Sequence, residues 1–128
     1  MIGFFPGKFQ PPHIGHAVTI SKLLADKYYD KIIVGVSEDK PRVIDVDDII
    51  ETFSFIFPDE NRITFCKISG TLIKYTKEET KDLPEFDVVI TGNEKVIRWA
   101  NDMGYIVELC PRTKGMGCSS TEIRRLYK

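Results

Sequence analysis

The sequence is poor in the residues that build metal sites and disulfide frameworks. It has 128 residues but only three cysteines and two histidines. Cys66, Cys110 and Cys118 are widely spaced and form no C-x-x-C pair, which argues against both a zinc site and a set of disulfides. We therefore expect reduced thiols in a cytoplasmic protein, and no metal that is ligated by protein side chains.

A charge excess of either sign is also missing. The 18 Lys and Arg residues nearly balance the 19 Asp and Glu residues, and the formal net charge is −1. A broad nucleic-acid footprint needs a basic excess, so no nucleic-acid partner is expected. No apolar run approaches the roughly 18 residues of a membrane span, so no membrane partner is expected either. The length fits one domain over residues 1–128, and a homodimer is compatible with so small a domain.

What the sequence does contain is a regular alternation of short apolar runs and longer amphipathic ones. The apolar, β-branched runs predict strands at residues 1–5, 31–36, 62–68, 87–91 and 105–109. The amphipathic runs predict helices at residues 14–29, 47–57, 94–103 and 119–127. Pro6 and Gly7 should stop the first strand, and Gly104 should stop the third helix. Residues 72–82 fit either a weak helix or an ordered loop.

Strands that alternate with helices predict an α/β fold. We expect a single Rossmann-like domain, with a parallel sheet of about five strands and helices on both faces. In such sheets ligands bind at the carboxyl ends of the strands, near the point where the strand order reverses. The loops that follow the first, fourth and fifth predicted strands are therefore candidate sites.

The loop after the first strand concentrates polar groups at a helix start. His13 and His16 lie three residues apart on either side of Gly15, so they share one side of the first helical turn. Gly15 lets a ligand approach the backbone, Lys8 adds a positive charge, and the helix start favours an anion. The pattern indicates a phosphate site. Ordinary polar residues at a helix start, or a metal site, are the alternatives.

A second anion site is predicted near the end of the sequence. Ser119 and Glu122 have the spacing of a capping box, and Arg124 and Arg125 follow directly in the same helix. Hydroxyl, backbone N–H and guanidinium groups at one helix start together favour phosphate. The alternative is a plain capped helix with surface arginines.

Two further segments follow predicted strands. Thr91, Gly92 and Asn93 lie between a strand and a helix, where Asn93 fits a helix cap and equally an amide contact to a nucleotide base or ribose. Arg42, just beyond the second strand, is a candidate contact to an acceptor substrate, with a solvated loop as the alternative. Trp99, the only tryptophan, is expected to be packed rather than stacked on a ligand.

These motifs resemble those of a known superfamily. The H-x-G-H signature of the nucleotidyltransferases is similar to His13-Ile14-Gly15-His16, and their I-S-S-T-x-I-R motif is similar to residues 118–124, with Cys118 in place of the first isoleucine. The resemblance implies a transferase with the catalytic residues Lys8, His13, His16 and Arg124. It also implies a nucleotide site formed by Gly7, Phe9, Gln10, Gly15, Thr91, Gly92, Asn93, Arg112, Ser119, Ser120 and Thr121.

The implied reaction moves a nucleoside monophosphate from an NTP, which carries Mg²⁺, to a small acceptor with a phosphate or phosphonate group, and it releases pyrophosphate. ATP is favoured, because residues 88–93 resemble archaeal-type nicotinamide mononucleotide adenylyltransferases. CTP is the alternative, because residues 111–115 resemble the R-T-x-G stretch of glycerol-3-phosphate cytidylyltransferases. Residues 67–86 lack the Asn and the Trp with which the archaeal-type enzymes hold nicotinamide mononucleotide, so that acceptor is not favoured. A non-catalytic nucleotide-binding module is the alternative from another class.

Overall fold

Five short apolar runs form one sheet in the computed structural model, which describes residues 1–7, 9, 14–26, 28–38, 45–58 and 60–109. The strands are β1 (Ile2–Gly7), β2 (Lys31–Ser37), β3 (Ile63–Ile68), β4 (Val88–Thr91) and β5 (Ile106–Leu109). The helices are α1 (Ile14–Ala25), α2 (Val46–Ile56) and α3 (Glu94–Met103). The helix predicted over residues 119–127 lies outside the described residues.

The strands are arranged in the order β3-β2-β1-β4-β5, and each neighbouring pair is parallel. The chain runs outward from β1 to β3 and then crosses back to β4 on the other side of β1. The strand order therefore reverses between β1 and β4, which is where a doubly wound sheet opens a crevice at the carboxyl ends of its strands. The predicted Rossmann-like, five-stranded parallel sheet is confirmed.

The helices cover both faces of the sheet, as predicted. On one face, α1 and α2 contribute Ile20, Leu23, Ile49 and Phe53 to a buried cluster with β1, β2 and β4. On the other face, α3 buries Trp99 and Ala100 against a second cluster. Because parallel strands are buried on both sides, they are apolar throughout rather than alternating.

The prediction that Pro6 and Gly7 stop the first strand is wrong, because β1 continues through both. The Ile2 carbonyl accepts a hydrogen bond from the Asp87 N–H, so the even-numbered residues of β1 direct their backbone groups toward β4. The pairing with β4 reaches only Phe4. Pro6 therefore lacks its N–H at a position where no ladder bond is formed.

Helix α1 is shorter than predicted and ends at Ala25 rather than near residue 29. The Asp26 carboxylate accepts the Tyr28 N–H at 3.0 Å, a local turn that competes with the helix. Tyr29, which follows this turn, is 3% exposed and lies on the face of the sheet that α1 and α2 cover. Its hydroxyl donates a hydrogen bond to Glu108 on β5. Burial raises the pKa of the Tyr29 hydroxyl, and the Glu108 carboxylate adds to the rise.

Between β3 and β4 the chain forms two short 3-10 helices, Leu72–Lys74 and Glu79–Asp82, where the sequence fits a weak helix or an ordered loop. Leu72 and Leu83 anchor this segment in the cluster that α3 covers. The segment thus serves as the crossover on that face of the sheet. Within the described residues, no helix has the length and apolar character that crossing a membrane requires.

Candidate active site

Two strand-to-helix turns meet at the point where the strand order reverses. β1 ends at Gly7 and leads into α1, while its neighbour β4 ends at Thr91 and leads into α3. Both strands are parallel, so their carboxyl ends lie at the same edge of the sheet. The two turns therefore border one crevice, which is the usual ligand site of this architecture.

The turn after β1 leads into the helix that carries His16. His16 is half-buried in the first turn of α1, and the preceding Gly15 is buried. One helical turn further on, the Thr19 hydroxyl donates to the Gly15 carbonyl at 2.9 Å. The position of His16 at a helix start beyond β1 is the position that its spacing predicts. Its catalytic role stays a prediction.

Phe9, predicted to bind the nucleotide, is turned into the core instead of toward the crevice. Its side chain is 4% exposed. Its φ of 52° lies in the left-handed region, which costs a non-glycine residue about 1–3 kcal/mol and persists only where the surroundings enforce it. A nucleotide contact from Phe9 would therefore come from its backbone rather than from its ring.

The second turn is held by hydrogen bonds between neighbours in the sequence. The Asn93 N–H donates to the Thr91 hydroxyl at 3.1 Å. The Asn93 side-chain oxygen accepts the N–H of Lys95 at 2.9 Å and of Val96 at 3.4 Å, so Asn93 caps α3. Asn93 is exposed, and its side-chain NH₂ group is not used by the cap. The cap and a nucleotide contact are thus compatible.

A group of contacts at the carboxyl edge of the sheet was missed by the sequence predictions. Ser37 ends β2, and its hydroxyl donates to the Gly70 carbonyl at 2.7 Å. The Ser69 N–H donates to the Tyr75 hydroxyl oxygen at 2.9 Å. The Trp99 indole N–H donates to the Tyr75 carbonyl at 3.0 Å. These bonds hold residues 69–75 beside the carboxyl ends of β2 and β3.

Two features of the sequence bear on these contacts. Ser37 is a polar residue at the last position of a buried apolar strand, and that signal could have identified it. Trp99 is 5% exposed and is packed, as predicted. Its indole N–H finds a backbone partner, which a buried tryptophan generally requires.

Two ionisable groups near residues 69–75, the Cys66 thiol and the Tyr75 hydroxyl, favour their neutral forms. Burial raises the pKa of the Cys66 thiol, so Cys66 is not a ready nucleophile. Burial also raises the pKa of the Tyr75 hydroxyl, and this effect outweighs the lowering by the Ser69 N–H. Neither group supplies a base or an anion to the crevice at neutral pH.

Several predicted site residues lie outside the described residues, so the structure does not position them. They are Lys8, Gln10, His13, Arg42, Arg112, Ser119, Ser120, Thr121 and Arg124. Of the predicted set, the structure brings together the Gly7–Gly15–His16 side and the Thr91–Gly92–Asn93 side of the crevice.

The fold and the two turns define a doubly wound α/β protein, a class in which the ligand site lies at the reversal of the strand order. The model of the cytidylyltransferase-like family matches residues 4–126, and the chain belongs to this family. It is a nucleotidyltransferase of the adenylyl- or cytidylyltransferase type.

Curated relatives, which are longer than this chain, carry one activity in their names. The nicotinamide-nucleotide adenylyltransferase of Sulfurisphaera tokodaii is 32% identical over 140 residues, covering 98% of this chain and 78% of the relative. The enzyme of the same name from Saccharolobus solfataricus is 30% identical over 133 residues, covering 97% of this chain and 77% of the relative.

Solved structures support the fold. The bifunctional NMN adenylyltransferase/ADP ribose pyrophosphatase of Francisella tularensis, complexed with AMP and a Mn ion, superimposes with a TM-score of 0.64. The match covers 98% of this chain but 41% of that longer protein, at 16% sequence identity. At this identity the likeness shows the shared fold and nothing about the substrates.

Proposed function

We propose that this protein transfers the adenylyl group of ATP to nicotinamide mononucleotide and releases pyrophosphate. The observation that supports the proposal is that the neighbouring parallel strands β1 and β4, where the strand order reverses, lead into the helix whose first turn carries His16 and into the helix that Asn93 caps. Residues 67–86 do not favour nicotinamide mononucleotide as the acceptor, and its choice here rests on the relatives. They match nearly the whole length of this chain, and their names specify nicotinamide-nucleotide adenylyltransfer.

The reaction needs positioning and cationic groups rather than a general base. A phosphate oxygen of the acceptor attacks the α-phosphorus of ATP, a new P–O bond forms, and the bond to the β-phosphate oxygen breaks. The nucleophile is already an anion, so no proton has to be removed. Charge develops on the leaving pyrophosphate, and donors fixed at that position stabilise the transition state.

His16 is the described residue that we assign to this stabilisation. It lies in the first turn of α1, where the helix start also favours negative charge. Lys8, His13 and Arg124 are proposed to act on the same phosphates, with Ser119, Ser120 and Thr121 binding the β- and γ-phosphates. This arrangement places the triphosphate on the α1 side of the crevice.

The adenine side of the site is proposed to lie at Thr91, Gly92 and Asn93. The Asn93 amide oxygen is committed to the cap of α3, which fixes the direction of the NH₂ group. That group would donate to a ring nitrogen of the base. The acceptor would then lie on the opposite side of β1, toward Arg42 and residues 69–75.

We propose that Mg²⁺ enters with ATP and is held mainly by phosphate oxygens. In the part of the chain that the structure describes, no group of three or more His, Cys, Asp and Glu residues is arranged to hold a metal ion. When bound, Mg²⁺ neutralises part of the phosphate charge.

The test is a pyrophosphate-release assay with two nucleotides and two acceptors. ATP and CTP are each combined with nicotinamide mononucleotide and with glycerol 3-phosphate. Release from ATP with nicotinamide mononucleotide alone supports the proposal. Release from CTP with glycerol 3-phosphate would instead support the cytidylyltransferase alternative, which the R-T-x-G-like residues 111–115 favour.

A thermal-shift series with the four NTPs and Mg²⁺ separates binding from turnover. A nucleotide at ~100 times its Kd should add about 2.7 kcal/mol to the free energy of unfolding. Stabilisation by ATP without pyrophosphate release for any acceptor would support a non-catalytic nucleotide-binding module. A lack of response to every nucleotide would contradict the proposed site altogether.

A further inference from the structure

The Phe9 ring links the predicted catalytic histidine to the protein core. The ring centroid lies 4.8 Å from that of the His16 imidazole, and the two planes meet at 85° in an edge-to-face contact. On another side the ring meets Phe53 of α2 at 5.1 Å and 83°. Phe5 of β1 lies 5.8 Å away at 57°. Phe9 therefore joins β1, α2 and the first turn of α1.

Gly7 leaves the space that this ring occupies. A Cβ atom added at Gly7 would lie 2.8 Å from Cζ of Phe9 and 3.0 Å from Cε2. Real Cβ atoms essentially never approach ring carbons so closely, so any side chain at position 7 would displace the ring. Because Gly7 has no side chain, the Phe9 ring can stay in the position from which it contacts His16.

The backbone of Phe9 shows that this placement is enforced by packing. A φ of 52° is disfavoured for a residue with a Cβ. Asn and Asp can offset this cost through local hydrogen bonds of their short polar side chains, but Phe9 has no such group. A surface loop would relax to an extended conformation at this residue. The left-handed conformation is retained because it directs the ring between Gly7, Phe53 and His16.

We propose that Phe9 is a positioning residue, which fixes the orientation of the His16 imidazole for the nucleotidyl transfer. The inference rests on the proposed function, because it gives His16 its role on the triphosphate. An aromatic edge-to-face contact restrains both the tilt and the position of the imidazole. A displacement of about 1 Å at a catalytic group can lower a rate by ~10²-fold, so the loss of this restraint should act on turnover.

The first test compares Phe9→Leu with Phe65→Leu. Phe65 stacks on Phe53 at 6.3 Å and so belongs to the same aromatic cluster, but it has no ring contact with His16. Phe9→Leu should lower kcat by about 10-fold while the KM for ATP stays within about twofold. Phe65→Leu should lower stability and leave kcat close to the wild-type value. Equal kcat values for the two variants would overturn the proposal.

A double-mutant cycle tests whether Phe9 acts through His16. If it does, Phe9→Leu should cause no further loss of kcat once His16 is replaced by Ala. A full additional loss in the His16→Ala background would contradict the proposal. If His16→Ala alone keeps normal turnover, the proposed catalytic site fails, and this outcome is distinct from a failure of the positioning contact.

An NMR readout is independent of activity. The chain has only two histidines, so two imidazole Cε1–Hε1 signals are expected. Phe9→Leu should shift the signal that is absent from His16→Ala, because the ring current of Phe9 is lost. Gly7→Ala should shift the same signal by displacing the ring. An unchanged His16 signal in a folded Phe9→Leu protein would refute the contact.

Two more variants keep the test decisive. Phe9→Met preserves most of the side-chain volume and replaces Phe9→Leu if that protein does not fold. Phe9→Gly removes the backbone strain together with the ring. A kcat as low in Phe9→Gly as in Phe9→Leu supports a role of the ring. Recovery of kcat in Phe9→Gly would show that the ring is not required, and would reject the proposal.

Discussion

The two turns that border the crevice are built in opposite ways. The turn from β4 to α3 has two residues between strand and helix, and its hydrogen bonds join Thr91 and Asn93 to each other and to the first turn of α3. The turn from β1 to α1 is longer, and its described anchor is the ring of Phe9, which reaches Phe53 on a different helix. Among the contacts that the structure describes, those of the turn from β4 to α3 are local, and those of Phe9 are tertiary.

The two turns should therefore depend on the rest of the protein to different degrees. A capped turn of two residues forms wherever its strand and helix form, so it can present a backbone and an amide to a base. In the longer turn, the proposed contact of His16 with the phosphates depends on the correct packing of α2 and β1. Variants of the two turns should therefore fail in different ways.

The largest expected effect is the loss of turnover in His16→Ala. Removing one preorganised donor from such a site typically lowers the rate by ~10²–10³-fold, so we expect kcat to fall by at least ~10²-fold. The fold should be retained, because His16 is only half-buried. Pyrophosphate release and circular dichroism measure the two quantities.

Ser21→Ala is the matched control for this variant, since Ser21 is an exposed residue of the same helix. It should leave kcat unchanged. Near-normal turnover in His16→Ala would contradict a catalytic role for the histidine that follows the turn from β1 to α1.

The second prediction concerns the far end of α3, which is also closed locally. Gly104 has a φ of 87° and donates its N–H to the carbonyls of Ala100 and Asn101. Nothing lies within 4 Å of a Cβ built there, so Gly104→Ala introduces backbone strain without a clash. We expect a loss of about 1–2 kcal/mol in the free energy of unfolding, measured by urea denaturation.

Gly104→Asn is the control, because asparagine tolerates the left-handed conformation better than alanine does. It should be clearly more stable than Gly104→Ala. Equal stability of the two variants would mean that the conformation at this residue does not limit α3.

The capped turn illustrates what the sequence was able to predict. The helix at residues 94–103 with its Gly104 stop and the cap at Asn93 are confirmed, because each depends on neighbours within four residues. The strands were predicted equally well, since buried parallel strands are continuous apolar runs.

Apart from the local Asp26–Tyr28 turn, which ends α1 early, the features that the sequence analysis missed depend on distant partners. Pro6 stays in β1 because the pairing with β4 has already ended, and this is decided by a strand that begins at Val88. Phe9 is buried by Phe53, and residues 69–75 are held by Ser37 and Trp99. Local motifs cannot show such contacts, because they arise only when the sheet is assembled.

The third prediction tests whether Asn93 acts only as a helix cap or also contacts the nucleotide. Asn93→Ala should lower the free energy of unfolding by about 1 kcal/mol, because α3 loses its cap. Asn93→Asp keeps the capping oxygen and should retain most of that stability, but it lacks the NH₂ donor. A raised KM for ATP in Asn93→Asp at wild-type stability would support a contact to the base. An unchanged KM would leave Asn93 as a cap alone.

The smallest expected effect is that of Thr91→Val. Thr91 is 5% exposed, and its hydroxyl accepts the Asn93 N–H at 3.1 Å. Valine keeps the shape and the strand preference but leaves that N–H without its partner. Because Asn93 is exposed, water can replace the bond, so the loss of stability should be near the lower end of the usual range, about 0.5 kcal/mol.

Hydrogen exchange gives this small effect a local readout. The Asn93 amide should exchange faster in Thr91→Val, while Thr91→Ser, which keeps a hydroxyl, should leave its rate close to wild type. The His16 imidazole signal should not move in either protein, because the turn from β4 to α3 is stabilised independently of the Phe9 contact. A coupled shift at His16 would mean that the two turns form one cooperative unit, and that the contrast between a locally fixed turn and a core-fixed turn does not hold.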